Sequence, residues 1–116
     1  MPERYKVKVA SKAKEMFAEH VTFLRCASLN AAQRLVLSYK KSIARIADNP
    51  FQFPIADELD VQGILPNAYR KCLFEERYKI LFWLEEREVF VVAVIDTRME
   101  NKDLDLSGGR SKHWDE

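Results

Sequence analysis

Residues 89–95 read Val-Phe-Val-Val-Ala-Val-Ile, an apolar run with no polar position to turn toward water. A strand points successive side chains to opposite faces. One that is apolar on both faces belongs in the middle of a sheet or beneath a partner. Further strands are therefore required, and two candidates lie just upstream. Residues 78–84 place Tyr78, Ile80, Phe82 and Leu84 on one face and Lys79, Leu81 and Trp83 on the other. Residues 69–74 form a third, mixed run. Glu75-Glu76-Arg77 and Glu85-Glu86-Arg87-Glu88 are the polar turns between them, which predicts a meander of three strands.

The N-terminal half has other periods. Residues 5–9 alternate apolar side chains with Lys6 and Lys8, the pattern of a strand with one buried face and an edge guarded by charge. From Ser11, a candidate cap, Ala13, Phe17, Val21 and Leu24 recur at helical spacing, widened by Met16, Phe23 and Ala27. Asn30 followed by Gln33 resembles a capping box for a second helix. Its apolar stripe is Leu35, Tyr39, Ile43 and Ile46, with Arg34, Lys41 and Arg45 on a different side. Asn49-Pro50 ends it, because proline disfavours a helical residue before it. The short connection predicts an antiparallel helical hairpin.

Residues 51–67 read as a loop, broken by Pro54, Gly63 and Pro66, whose apolar residues pack over something. From Ser107-Gly108-Gly109 onward the reading is a flexible tail, residues 107–116, leaving 1–106 as one domain. The expected fold is α+β with two layers in the order β-α-α-β-β-β, the helical hairpin packed on a mainly antiparallel sheet. The expected core comprises Phe17, Val21, Leu24, Leu35, Ile43, Ile46, Ile80, Phe82, Val91 and Ala93.

Several classes are excluded on these grounds. At 116 residues, 47% hydrophobic and 32% charged, the chain suits one folded domain rather than a disordered segment. Residues 1–10 lack the apolar run of a signal peptide, and no stretch approaches the roughly 20 apolar residues of a membrane helix, so no membrane role is expected. Cys26 and Cys72 show no pairing motif and read as reduced thiols of a cytoplasmic protein. No zinc spacing, P-loop, dinucleotide fingerprint or nucleophile elbow occurs, and the only histidines are His20 and His113. No cofactor and no metal are expected. The net charge of +1 conceals an asymmetry: ten basic against three acidic residues through Arg45, then nine against fifteen. Such a split suits a face that meets a charged partner.

The local phrases point further. Asn30-Ala31-Ala32-Gln33-Arg34 opens the second helix, and Asp48-Asn49-Pro50 with Phe53-Pro54 closes it. Tyr69-Arg70-Lys71 and Tyr78-Lys79-Ile80-Leu81-Phe82 begin two strands, and Arg98 follows the last. In these phrases and in their order, residues 5–104 resemble the RelE/ParE superfamily of bacterial toxins. The resemblance implies the toxin of a type II toxin–antitoxin, or plasmid stabilisation, module. Its partners would be a cognate antitoxin and an essential target, DNA gyrase or the ribosome and its messenger RNA, with a homodimer as a further possibility.

Matched position by position, the resemblance puts the cations of the RNA-cutting members at Arg70, Lys79 and Arg98. Cys72 stands where a second lysine is often found. Residues 99–104 offer neither the tyrosine nor the histidine of cutting members. Inhibition by binding, with gyrase as the precedent, is therefore the favoured expectation. A ribosome-dependent messenger RNA endonuclease and a decayed, non-toxic member are the alternatives. The long first helix and the asparagine opening the second are ParE-like. Arg70, Lys79 and Arg98 also have a structural reading, pairing with Glu75, Glu76 and Asp96. The candidate partner-binding residues are Arg34, Lys41, Arg45 and Trp83. For Trp83, packing competes with a role as a stacking platform.

Overall fold

The computed structural model describes residues 4–56, 69–98 and 114–115. Strand β1 (Lys6–Ala10) leads into helices α1 (Ser11–Ala27) and α2 (Leu29–Asp48) and a short 3-10 helix (Pro50–Gln52). Strands β2 (Arg70–Phe74), β3 (Tyr78–Glu85) and β4 (Glu88–Asp96) follow, and β5 is the two-residue strand Trp114–Asp115. The sheet order is β2-β3-β4-β1-β5. β1 runs parallel to β4, and every other pair is antiparallel. The protein is thus α+β, two helices on a mixed sheet. Of the stretch read as a tail, Trp114 and Asp115 pair with Ala10 and Val9. Its other residues, and the loop residues 57–67, lie outside the described residues.

The apolar run that demanded neighbours has them: β4 lies inside the sheet, between β3 and β1. Its helix-facing side chains Val89, Val91 and Val94 join Ile80, Phe82, Tyr78, Leu35 and Ile46 in the main core. Phe17, Val21, Leu24, Tyr39 and Ile43 pack against that core partly buried. On the opposite face a second cluster holds Leu81, Val92, Ala93 and Ile95. A bulge produces this division. Leu81 pairs with Ala93 but Phe82 pairs with Val91, so β4 carries one extra residue there. Past the bulge the faces exchange. Ala93, expected in one core with Val91, is therefore buried on the other side of the sheet.

The helix starts differ from the expected caps. Ser11 is the first helical residue, and Ala10 precedes it as N-cap without a side-chain bond. The second helix begins at Leu29, capped by Ser28 rather than Asn30: Ser28 Oγ accepts from the Ala31 amide at 3.1 Å. The Ser28 amide also donates to Leu24 O at 2.7 Å. One residue thus closes α1 and opens α2, which leaves no room for a cap further along. Asn49 ends α2 as expected, and its side chain accepts from the Phe51 amide.

Chain direction at the end of β1 positions α1. β1 reaches Val9 beside Val91 and then turns into the helix. Among the described residues, the edge of β4 beyond Val91 has no strand on that side. α1 packs there instead, and His20 Nε2 lies 2.8 Å from Val94 O.

Candidate functional site

The three cations matched to the nuclease pattern do not form one cluster. Cross-strand partners share a face of the sheet. Arg70 is opposite Phe82, which faces the helices, whereas Lys79 is opposite Leu73 and Ile95, which face away. Arg70 turns back along the loop: Nη1 donates to Phe53 O at 2.7 Å, and the guanidinium lies 5.2 Å from the Phe51 ring centre. Lys79 is only 7% exposed. Arg98 lies beyond the end of β4, its backbone amide donating to Asp96 Oδ1 and its guanidinium 3.9 Å from that carboxylate. Asp96 is held mainly by a different residue, since Arg77 Nε and Nη2 both donate to Oδ2 at 2.9 and 2.8 Å. Burial pushes the Asp96 carboxyl up, but the Arg77 bonds, the Arg98 amide and both positive charges outweigh it, and the group titrates below the ordinary range. The expected pairing of Arg98 with Asp96 is present as the weaker of two. Glu75 pairs instead with Arg34, at 3.4 Å.

Cys72, at the remaining position of that pattern, is buried on the helix face opposite Ile80. Burial pushes its thiol up, offset in part by Ser42 and by the charge of Arg45. Trp83 stacks on Phe90 with ring centres 4.3 Å apart, and Lys8 lies 5.8 Å from the Phe90 centre on the neighbouring strand. These three form a row across β3, β4 and β1 on the sheet face away from the helices. For Trp83 the geometry is that of packing against its cross-strand neighbour.

The two helices present a surface of another kind. Between them runs a groove of about 480 Å³ lined by Val21, Arg25, Leu29, Ala32, Gln33, Val36 and Leu37. Leu29 is 59% exposed and Leu37 60%. Leu29, Val36 and Leu37 recur at helical spacing, interrupted by Gln33, so α2 carries a second, mostly apolar stripe beside its core stripe of Leu35 and Ile46. Leu37 is also one turn from both Arg34 and Lys41, and Arg45 follows one turn later. The cation in the groove lining is Arg25; of those marked as partner-binding, Arg34 and Lys41 lie one turn from Leu37 outside the lining, and Arg45 a turn further away. Arg45 is partly engaged, 5.1 Å from the Phe53 ring centre; Lys41 is exposed. Together α1 and α2 hold seven basic and three acidic residues.

No protein-family model and no curated protein matches the sequence. Among the described residues, no helix is long and apolar enough to cross a membrane. What the chain offers is thus read from its own geometry.

The groove residues Leu29, Val36 and Leu37 were legible in principle as apolar positions off the core stripe of α2. His20 was legible as a polar residue within the α1 stripe of Phe17, Val21 and Leu24. Arg77 was not, because a polar residue in a hairpin turn carries no distinguishing pattern.

Proposed function

We propose that this protein is the toxin of a bacterial toxin–antitoxin module with a RelE/ParE-like fold. It inhibits growth in the cytoplasm by binding an essential target, DNA gyrase on the ParE precedent. A cognate antitoxin holds it inactive. The observation that carries this reading is the exposed apolar groove between α1 and α2, with Arg25 in its lining and Arg34 and Lys41 one turn from Leu37. Large exposed apolar side chains in one rimmed groove mark a binding surface. Covering Leu29 and Leu37 would gain on the order of 1–2 kcal/mol each. Arg25 in the groove and the cations beside it favour an acidic partner and speed its approach. An amphipathic segment, apolar on one side and acidic on the other, fits both properties.

A ribosome-dependent endonuclease of the RelE kind has less support. Its charge stabilisation calls for cations gathered around one phosphate, and Arg70 and Lys79 lie on opposite faces of the sheet.

The test expresses the chain alone and with the product of the adjacent reading frame. Growth arrest relieved by coexpression, with a complex that weakens as salt rises, is the expected result. Leu37→Glu should abolish the complex while leaving thermal unfolding unchanged, because Leu37 is exposed. Absence of arrest, or a complex indifferent to Leu37→Glu, would refute the proposal. In vitro, blocked supercoiling with intact message supports gyrase. Message cut at the ribosomal A site, and spared by Arg98→Ala, would move the protein to the nucleases.

A further inference from the structure

A second concavity lies on the other side of α1, where the helix crosses the end of β4. It encloses about 460 Å³ and is lined by Glu19, His20, Phe23, Arg77, Tyr78, Asp96 and Arg98. That volume falls within the roughly 300–1,000 Å³ of small-molecule sites. Its composition is unlike that of the hairpin groove: three aromatic rings, two guanidinium groups and two carboxylates converge on one space.

The aromatic part is organised. His20 and Tyr78 have ring centres 5.2 Å apart. The Arg77 guanidinium lies 5.2 Å from the Tyr78 ring centre and 5.9 Å from that of Phe23. Arg77 is held in place by its two bonds to Asp96. Phe23 is 67% exposed, a large ring left facing solvent beside the cavity. It supplies a flat apolar surface that no core residue covers.

The polar part is equally defined. Asp96 is satisfied by Arg77 and by the Arg98 backbone amide, so it makes small demand on the Arg98 side chain. The Arg98 side chain is 65% exposed, and its contact with Asp96 is long at 3.9 Å. A carbonyl oxygen only accepts, so the His20–Val94 bond requires the proton on Nε2. With the proton on Nε2, the neutral form of this ring has its lone pair on Nδ1. Glu19, also lining the space, only accepts when ionised.

We propose that this cleft binds a small planar anion of the nucleoside monophosphate class. A base would stack on Phe23, its exocyclic amino group would meet the acceptors Glu19 or His20, and its phosphate would engage Arg98. Such a ligand uses every kind of group that the lining presents. Inorganic phosphate would leave the rings idle, and an uncharged nucleoside would leave Arg98 unused. The inference is independent of the hairpin groove, because Val21 and Arg25 project from a different side of α1 than Glu19 and Phe23.

The experiment titrates the full chain with AMP by calorimetry, with adenosine and inorganic phosphate in parallel, while amide and His20 ring resonances are followed. AMP should bind saturably below about 1 mM, and each half-ligand about tenfold more weakly. Arg98→Ala should weaken AMP about tenfold by removing a charge-assisted contact and leave adenosine unchanged. Phe23→Ala should weaken AMP and adenosine alike, by about fivefold or more. Both residues are exposed, so the variants keep the wild-type unfolding midpoint. No saturable binding at millimolar AMP, or AMP binding indifferent to both substitutions, overturns the proposal. So does a single-stranded oligonucleotide that occupies the same resonances a hundredfold more tightly than AMP, which would make the cleft part of a polymer track.

Discussion

Replacing Phe82 with alanine tests the face assignment that organises the whole sheet. Phe82 is fully buried in the main core, on the β3 face that meets the helices. Its ring meets Phe53 edge-on with centres 6.0 Å apart, and its cross-strand neighbours are Arg70 and Val91 at the bulge. Removal deletes an entire aromatic ring from a fully buried site between the sheet and the helices. The expected loss is about 3–5 kcal/mol, of which the ring pair accounts for about 0.5–1.5. Against a total of roughly 5–15 kcal/mol for a domain, that is about a fifth of the stability or more. Leu73→Ala is the control: Leu73 lies on the opposite face of β2 and is exposed, so its loss should stay below about 1 kcal/mol. Urea unfolding followed by circular dichroism gives both values from midpoint shifts at constant slope. A Phe82→Ala midpoint within error of wild type, or a Leu73→Ala loss of equal size, would show that the faces of β2 and β3 are assigned the wrong way round.

Three further expectations follow from single contacts. Asp96 titrates below the ordinary carboxylate range, with burial opposing and Arg77 and Arg98 prevailing. A depressed folded value means stability that is complete above the unfolded carboxylate value of about 3.9 and lost as pH falls through the folded one. Asp96→Asn should cost about 1–3 kcal/mol at pH 7 and flatten the acid limb of the urea midpoint against pH; an unchanged limb contradicts the Arg77 pairing. Glu76 is held at φ 57° in the turn between β2 and β3. Glu76→Gly should stabilise the protein by about 0.5–1 kcal/mol, read as a higher urea midpoint, since glycine takes that region freely, and a loss would deny the turn conformation. Ser28→Ala should cost about 1 kcal/mol by removing the cap on α2, whereas Asn30→Ala should be close to neutral; the reverse order in thermal unfolding would restore Asn30 as the cap.

Much of the fold was legible because each element repeats its period several times. The α1 and α2 stripes each span about three turns, and the two-sided run at residues 89–95 located the inner strand before any neighbour was known. Features depending on one residue were not legible. The bulge at Val92 has no glycine or polar residue to announce it, so period two carried Ala93 onto the wrong face. Ser28 and Asn30 are both good caps in isolation. Which one serves depends on where α1 stops, and that is set by packing across the hairpin. The groove was overlooked because α2 shows two apolar stripes, and only burial tells the core stripe from the exposed one.

The separation of Arg70 from Lys79 traces to a single residue of loop. Phe74 pairs with Tyr78, so Glu75, Glu76 and Arg77 make a three-residue connection. Had the loop held two residues, Phe74 would pair with Arg77 and every residue of β2 would oppose the other parity of β3. Arg70 would then stand across from Leu81, on the same face as Lys79. The core forbids that register. Cys72 and Phe74 are buried against the helices, and a one-residue slip would drive both to the opposite face while turning Lys71 and Leu73 inward. Burying Lys71 without compensation would cost several kcal/mol, and two apolar side chains would leave the main core in the same step. Thermal fluctuation therefore does not bring Arg70 and Lys79 to one phosphate. Chemistry requiring both cations on a single substrate would need this hairpin to be rebuilt, whereas association through the α1–α2 groove needs no rearrangement of the sheet.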